Sequence, residues 1–309
     1  NNLLYLDSEQ EGVITVISLV DLLDSRQNSS SELIKSTSAI GFASARSAIA
    51  TTLPSQVQTE YAIVPDGELL YYFHQATQIK EITETKPCEE TDENISLEDK
   101  YNFPFCLKIS TQTKSIDWES RLLNLENTIL QRRSTRAYSG EEITLEELKA
   151  LLHFTYQPQD YLEQGLDYSP DYFDLNLIET FIAVSGVNGL EEGCYYYAPK
   201  AQELRQVRFK NFRQELHYLC LGQDLGRDAA AVVFHTTDLN KAVAKYGDRV
   251  YRYLHMDAGH LGQKLNLAAI YLGLGASGIG GFFDDRVNEV LSIPPEEAVI
   301  YITTLCRPR

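Results

Sequence analysis

The sequence predicts an α+β fold in which helices and strands are intermixed without a regular β-α-β rhythm. Three observations carry this. Residues 245–281 read K-Y-G-D-R-V-Y-R-Y-L-H-M-D-A-G-H-L-G-Q-K-L-N-L-A-A-I-Y-L-G-L-G-A-S-G-I-G-G, and Leu254, Ala258, Leu261, Leu265 and Ala268 recur at three- and four-residue steps. That is the pattern of a helix with one apolar face. The runs A-A-A-V-V-F-H at 229–235 and A-V-I-Y-I-T-T-L at 298–305 read as buried strands. Thr144 and Glu147 have the spacing of a capping box, which places a helix over 145–156.

Taken in order, residues 13–23 are apolar and read as a strand running into a helix. Ser29 and Glu32 form another capping-box pair, so a helix starts near Ser30, and a second short helix fits 43–53 before Pro54. Two β-rich runs at 61–64 and 69–73 flank Pro65-Asp66-Gly67, a hairpin signal. Helix, helix, hairpin is the order of a winged helix. Residues 81–100 are acidic and poor in apolar side chains, which reads as a linker. The expected domains are therefore 1–100, a small winged-helix-like module with its linker, and 101–309. In the second, helices are expected over 118–132 and 145–156, then a long tyrosine-rich loop over 157–178. Strands at 177–185 and 194–197 surround a turn at Gly189. A helix over 209–221, the strand at 229–235, the long helix over 248–274 and the strand at 298–305 complete it. Ala258, Gly259 and Gly262 let another backbone approach that long helix, in a tight core or a dimer interface. It stops at Gly273 and Gly275, and Gly278, Gly280 and Gly281 follow in a turn able to present bare N–H groups to a flat or anionic ligand.

The formal net charge of −17 argues against nucleic acid and anionic membrane as partners, because both require a basic surface. There is no secretory leader pattern and no apolar run long enough to span a bilayer. The five cysteines, Cys88, Cys106, Cys194, Cys220 and Cys306, are scattered. They suggest neither a disulfide framework nor a zinc site, and a reducing cytoplasm fits them. The chain begins at Asn1 rather than Met, so a piece of a longer protein is expected.

Residues 131–138 read Q-R-R-S-T-R-A-Y, and E-E-I-T-L-E-E-L follows at 141–148. This order resembles the opening of the flavin-dependent nitroreductase-like superfamily. The block from Lys245 to Leu274 resembles the azoline dehydrogenase branch, most closely the thiazoline oxidases of cyanobactin biosynthesis. The resemblance covers residues 118–309. It implies a central, mostly antiparallel sheet wrapped by helices, and an intertwined homodimer with FMN at the interface. It assigns Arg132, Ser134 and Arg136 to the FMN phosphate, which wants guanidinium forks and hydroxyls. Read without the family, the same cluster simply complements a helix C-terminus. Arg307, with Arg309 as a lesser candidate, is expected to return to the phosphate. Gly278, Ile279, Gly280 and Gly281 are the candidates for backbone approach to the flavin ring. Lys245 and Tyr246 resemble the Lys-Tyr pair that takes the proton in azoline dehydrogenation, and the sequence leaves open which of the two is the base. Arg249, Tyr251 and Arg252 are placed to line the pocket, and His260 reads as a hydrogen-bonded interior residue.

One stretch departs from the family. Many relatives carry P-S-x-G-A-x-x-P where this chain has Y-S-P-D-Y-F-D-L-N at 168–176. Ser169 and Asn176 are weak candidates for reaching the flavin from there. The expected function is FMN-dependent oxidation of thiazoline or oxazoline rings in a ribosomally made precursor peptide, with the N-terminal module holding its leader. The alternatives are a nicotinamide-dependent nitro or quinone reductase and an inactive peptide-binding scaffold.

Overall fold

The computed structural model describes residues 68–78, 98–118, 123–167 and 171–309. The chain divides into two units, Asn1–Glu81 and Ile82–Arg309. In the first, the described residues form helix α1, Leu69–Thr77. This corrects the second half of the expected hairpin, which placed a strand at 69–73. Aromatic and branched residues favour strands, but the helical spacing of the buried pair His74 and Thr77 decides the segment. Thr77 Oγ1 donates to the Phe73 carbonyl one turn back (2.7 Å). The remaining winged-helix elements lie outside the described residues.

The second unit is built on a seven-stranded sheet of order β1-β6-β5-β3-β7-β9-β8. The strands are β1 (Lys108–Ser110), β3 (Glu179–Val184), β5 (Gly193–Ala198), β6 (Glu203–Arg208), β7 (Ala231–Asp238), β8 (Gly275–Ile279) and β9 (Glu297–Cys306). Every neighbouring pair is antiparallel. A separate parallel pair joins β2 (Ile143–Thr144) to β4 (Val187–Asn188). The helices of this unit are α2 (Leu123–Gln131), α3 (Leu145–Tyr156), α4 (Arg213–Leu219), α5 (Asp224–Asp228), α6 (Leu239–Tyr246), α7 (Val250–Tyr271) and α8 (Asp284–Leu291). Short 3₁₀ turns at Pro158–Gln164 and Leu175–Leu177 lie within the expected long loop.

Helix α3 begins with the full capping box: Thr144 accepts from the Glu147 N–H, and the Glu147 carboxylate accepts from the Thr144 N–H. β3 and β5 are buried at every position, as strands covered on both faces are. α7 carries Leu265, Ala268 and Ala269 into the main core with α3's Leu148, Leu151 and Leu152. Its first half packs Val250, Leu254, Ala258 and Leu261 into a second cluster with Leu177, Ile178, Ala242 and Ile300. Residues 98–101 are tied to the sheet. The Asp99 carboxylate accepts from the Ala201 N–H (2.7 Å), and Lys100 Nζ reaches both Glu179 on β3 (2.7 Å) and Glu297 on β9 (2.6 Å).

Candidate active site

The arginine-rich segment leaves α2 and runs beside the sheet's last strand. Thr135 N–H donates to the Ala276 carbonyl of β8 (2.9 Å), and Ser139 N–H donates to the Arg307 carbonyl (3.0 Å). The approach is close: a Cβ on Gly275 would lie 2.7 Å from Thr135 Oγ1. Arg132 and Ser134 are half-buried and Arg136 is exposed. Among the described residues, neither Arg132 nor Arg136 forms a side-chain hydrogen bond or ion pair. Arg133 folds back onto the carbonyls of Leu130 (3.4 Å) and Arg132 (2.8 Å), satisfying the end of α2. Two guanidinium groups and a hydroxyl are thus left to face an anion, on a chain that is otherwise acidic.

Arg307 has another task. Its Nη2 donates to both Glu147 carboxylate oxygens (2.9 Å each), and its Nε donates to the Glu142 carbonyl (3.1 Å). Burial pushes the Glu147 carboxyl up, but the Thr144 cap bonds and the Arg307 guanidinium outweigh it and hold it below its ordinary range. Arg307, expected to return to a phosphate, here locks the start of α3 to the end of β9.

The glycine-rich exit of α7 is also different from expectation. Gly278 and Ile279 belong to a strand rather than a turn. The Tyr301 hydroxyl lies where a Gly278 side chain would begin (1.9 Å from its Cβ position), so that face of Gly278 is filled. Ile279 is core, 3% exposed. The strand forms because residues 275–279 pair with Ile302–Cys306 in antiparallel register. Gly280 and Gly281 follow it and are exposed, and nothing lies within 4 Å of a Gly280 Cβ. Of the expected quartet, these two keep open backbone.

Lys245 and Tyr246 close α6 instead of opening the next helix. Gly247 ends α6 at φ +76°, a conformation that favours glycine. Lys245 Nζ sits 5.2 Å from the Tyr246 ring centroid. Tyr246 is 37% exposed and meets Phe173 edge-on, with centroids 5.1 Å apart. Phe173 also touches Tyr253 (5.1 Å), whose hydroxyl is bound by Arg249 Nε (2.9 Å). His260 is half-buried, and its Nε2 has no hydrogen-bond partner among the described residues. Asn176 is engaged by Asp174 (2.9 Å), and Ser169 lies outside the described residues.

The sequence pattern of the Nitroreductase family matches residues 129–305, more than half of the chain. The chain belongs to the nitroreductase family. A Methanocaldococcus jannaschii protein named as a nitroreductase is 33% identical over 171 residues, covering 55% of this chain and 85% of that protein. A structure from Anabaena variabilis, also named as a nitroreductase, is 72% identical with a TM-score of 0.74. The match covers 84% of this chain and 51% of that one, so this chain spans about half the length of the Anabaena protein. A nitroreductase structure from Ralstonia eutropha shares the fold at 20% identity and a TM-score of 0.53, over 65% of this chain and 89% of that one.

Nitroreductase-family members bind flavin, and the geometry fits that cofactor's phosphate end. Among the described residues Arg132 and Arg136 have no side-chain partner, and with the Ser134 hydroxyl they lie on the segment that runs beside β8. Among the described residues there is no cluster of His, Cys, Asp and Glu able to hold a metal, and no helix is long and apolar enough to cross a membrane. Sequence reasoning missed Asp257, Phe173 and Tyr301. Asp257 carried a signal: an ionisable residue between Leu254 and Leu261 on the apolar face of a helix needs a specific partner.

Proposed function

We propose that this nitroreductase-family chain is an FMN-dependent oxidase that converts thiazoline or oxazoline rings of a ribosomally made precursor peptide to the aromatic azoles. One observation carries the reading beyond the family: an ammonium and a phenol are held together at the end of α6, Lys245 Nζ 5.2 Å from the Tyr246 ring, beside Phe173 and Tyr253. When bound, FMN would supply a two-electron acceptor for the oxidation of the ring. Aromatisation also releases a proton, which needs a base at the site. Lys245 and Tyr246 are the proposed acceptors of that proton. Arg132, Ser134 and Arg136 would hold the phosphate, and Gly280 and Gly281 would let backbone approach the ring. Residues 1–100 would hold the peptide's leader.

The homodimer with FMN at its interface is part of the same proposal. The cytoplasm is the proposed site of action. A second reading, a nicotinamide-dependent reductase of nitroaromatics, is favoured by the names of the relatives at 33% and 72% identity. Flavin bands in the visible spectrum of the purified protein, with the heat-released flavin identified as FMN, are expected. Arg132→Ala with Arg136→Ala should then weaken FMN binding by about 100-fold or more. Protein that stays colourless after FMN is added would overturn the assignment. Rapid bleaching by NADPH, with no effect of thiazoline peptide, would favour the reductase.

A further inference from the structure

Asp257 lies in the middle of α7 and is fully buried. Among the described residues it forms no ion pair. Its carboxylate is instead satisfied by backbone: Oδ1 accepts from the N–H of Tyr172 (2.7 Å) and Phe173 (3.1 Å), and Oδ2 accepts from Phe173 (3.2 Å) and Asp174 (2.8 Å). A buried carboxylate without a cation is costly, and charge-assisted bonds to three successive amides are the arrangement that sustains it. A helix residue thereby fixes the path of the loop. The consequence lies one contact further on. Phe173, held at the centre of that clasp, packs edge-on against Tyr246 (5.1 Å, 87°), and Tyr246 carries Lys245 over its ring. On its other side Phe173 is backed by Tyr253.

We propose that Asp257 is a positioning residue for the Lys245–Tyr246 pair, acting through the backbone of 172–174 and the Phe173 ring. This rests on the assignment of that pair as the proton-accepting site. The contact chain explains how residues 172–174 serve the site without the loop pattern of their relatives. Their helix anchor fixes the loop from within, and an aromatic ring carries the constraint to the phenol. Without the clasp, Phe173 would be held only by apolar contact and Tyr246 would sample several rotamers at the mouth of the site. Misplacement of an acid–base group by about 1 Å costs on the order of 100-fold in rate.

The test uses the full FMN-loaded chain with Asp257→Asn, which keeps the side chain's shape, and Phe173→Leu, which leaves the clasp intact. Both should lower kcat on a thiazoline peptide by about 10- to 100-fold with KM within about twofold of wild type. Flavin content should be unchanged. An activity-independent measurement accompanies this: nitration of Tyr246 by tetranitromethane, mapped by mass spectrometry against Tyr251. The two phenols are equally exposed, 37% each, so Tyr251 serves as the internal reference. The Tyr246/Tyr251 ratio should change several-fold in both variants. An unchanged ratio, or losses of flavin, KM and melting temperature together, would overturn the positioning role. Wild-type protein that holds FMN but turns over no azoline peptide would sink the functional reading, and the nitration ratio would still decide whether Asp257 positions Tyr246.

Discussion

Gly262 and Gly259 lie three residues apart on α7 and are expected to respond in opposite ways to the same substitution. A Cβ at Gly262 would sit 2.5 Å from the Tyr301 ring, whereas one at Gly259 would meet nothing within 4 Å. Gly262→Ala should destabilise by about 1–3 kcal/mol through overpacking. Gly259→Ala should stabilise by up to about 1 kcal/mol through helix propensity. Denaturant unfolding of the two variants checks both signs. Arg307 makes a sharper case, because a structural and a phosphate role diverge. Its bidentate pair with Glu147 predicts that Arg307→Ala costs about 1 kcal/mol of stability and leaves FMN affinity within a few-fold of wild type. A loss of affinity as large as that for Arg132→Ala would restore the phosphate role. At this scale the sequence was legible where a side chain's chemistry leaves one use for it. Arg133, which cannot share Arg132's direction on adjacent backbone, folds back onto the end of α2. It was not legible at Arg307, since a guanidinium suits a carboxylate as well as a phosphate. The abundance of tyrosine also becomes intelligible. Tyr138, Tyr161, Tyr195 and Tyr196 are buried and Tyr156 is half-buried, with their hydroxyls bonded to Thr304, Ile116, Glu191, Glu179 and Thr180 respectively.

Between elements, two lysines act as fastenings, Lys264 buried and Lys100 exposed. Lys264 reaches from α7 to the Thr155 carbonyl near the end of α3 (2.8 Å) and lies 5.5 Å from the Phe154 ring. Burial lowers its pKa to about 8 from 10.5. The unfolded chain therefore binds more protons between those values, so stability should rise as pH increases from about 8 to 10.5, by about 3 kcal/mol. Lys264→Met should flatten that rise, and denaturation measured across the window would reveal it. Lys100 joins β3 to β9 through Glu179 and Glu297, both of which are nearly buried. Lys100→Ala leaves two facing carboxylates without their cation and should cost about 3 kcal/mol. The loss should be smaller in mild acid, where a carboxylate can take a proton; melting temperatures at pH 5 and pH 8 distinguish this from lost packing. Elements with a periodic pattern or a cap, α3, α7, β7 and β9, were legible in the sequence. β8 was hidden because G-A-S-G-I has the composition of a turn and becomes a strand only by pairing with β9. β6 was missed because E-L-R-Q-V-R is mostly polar although its middle is buried, and β1 because it is only three residues long. At 69–73 local β-propensity pointed to the wrong element.

For the whole molecule, the family's fold is present as an antiparallel seven-stranded sheet with helices, and it places the residues of the proposed chemistry on distinct elements. The anion-facing segment lies beside β8, and the Lys-Tyr pair closes α6. The proposed flavin-binding segment could be read as one unit because R-R-S-T-R is local in sequence. The wall around Tyr246 was not, because the fold joins residues from 172–174, 246, 253 and 257, which share no spacing. The mass of a thiazoline-containing precursor peptide after incubation with the FMN-loaded chain in air tests this arrangement most directly. Loss of two mass units per ring is predicted, abolished by Lys245→Ala with flavin still bound. An unchanged peptide mass, from protein that holds FMN and binds the peptide, would contradict it.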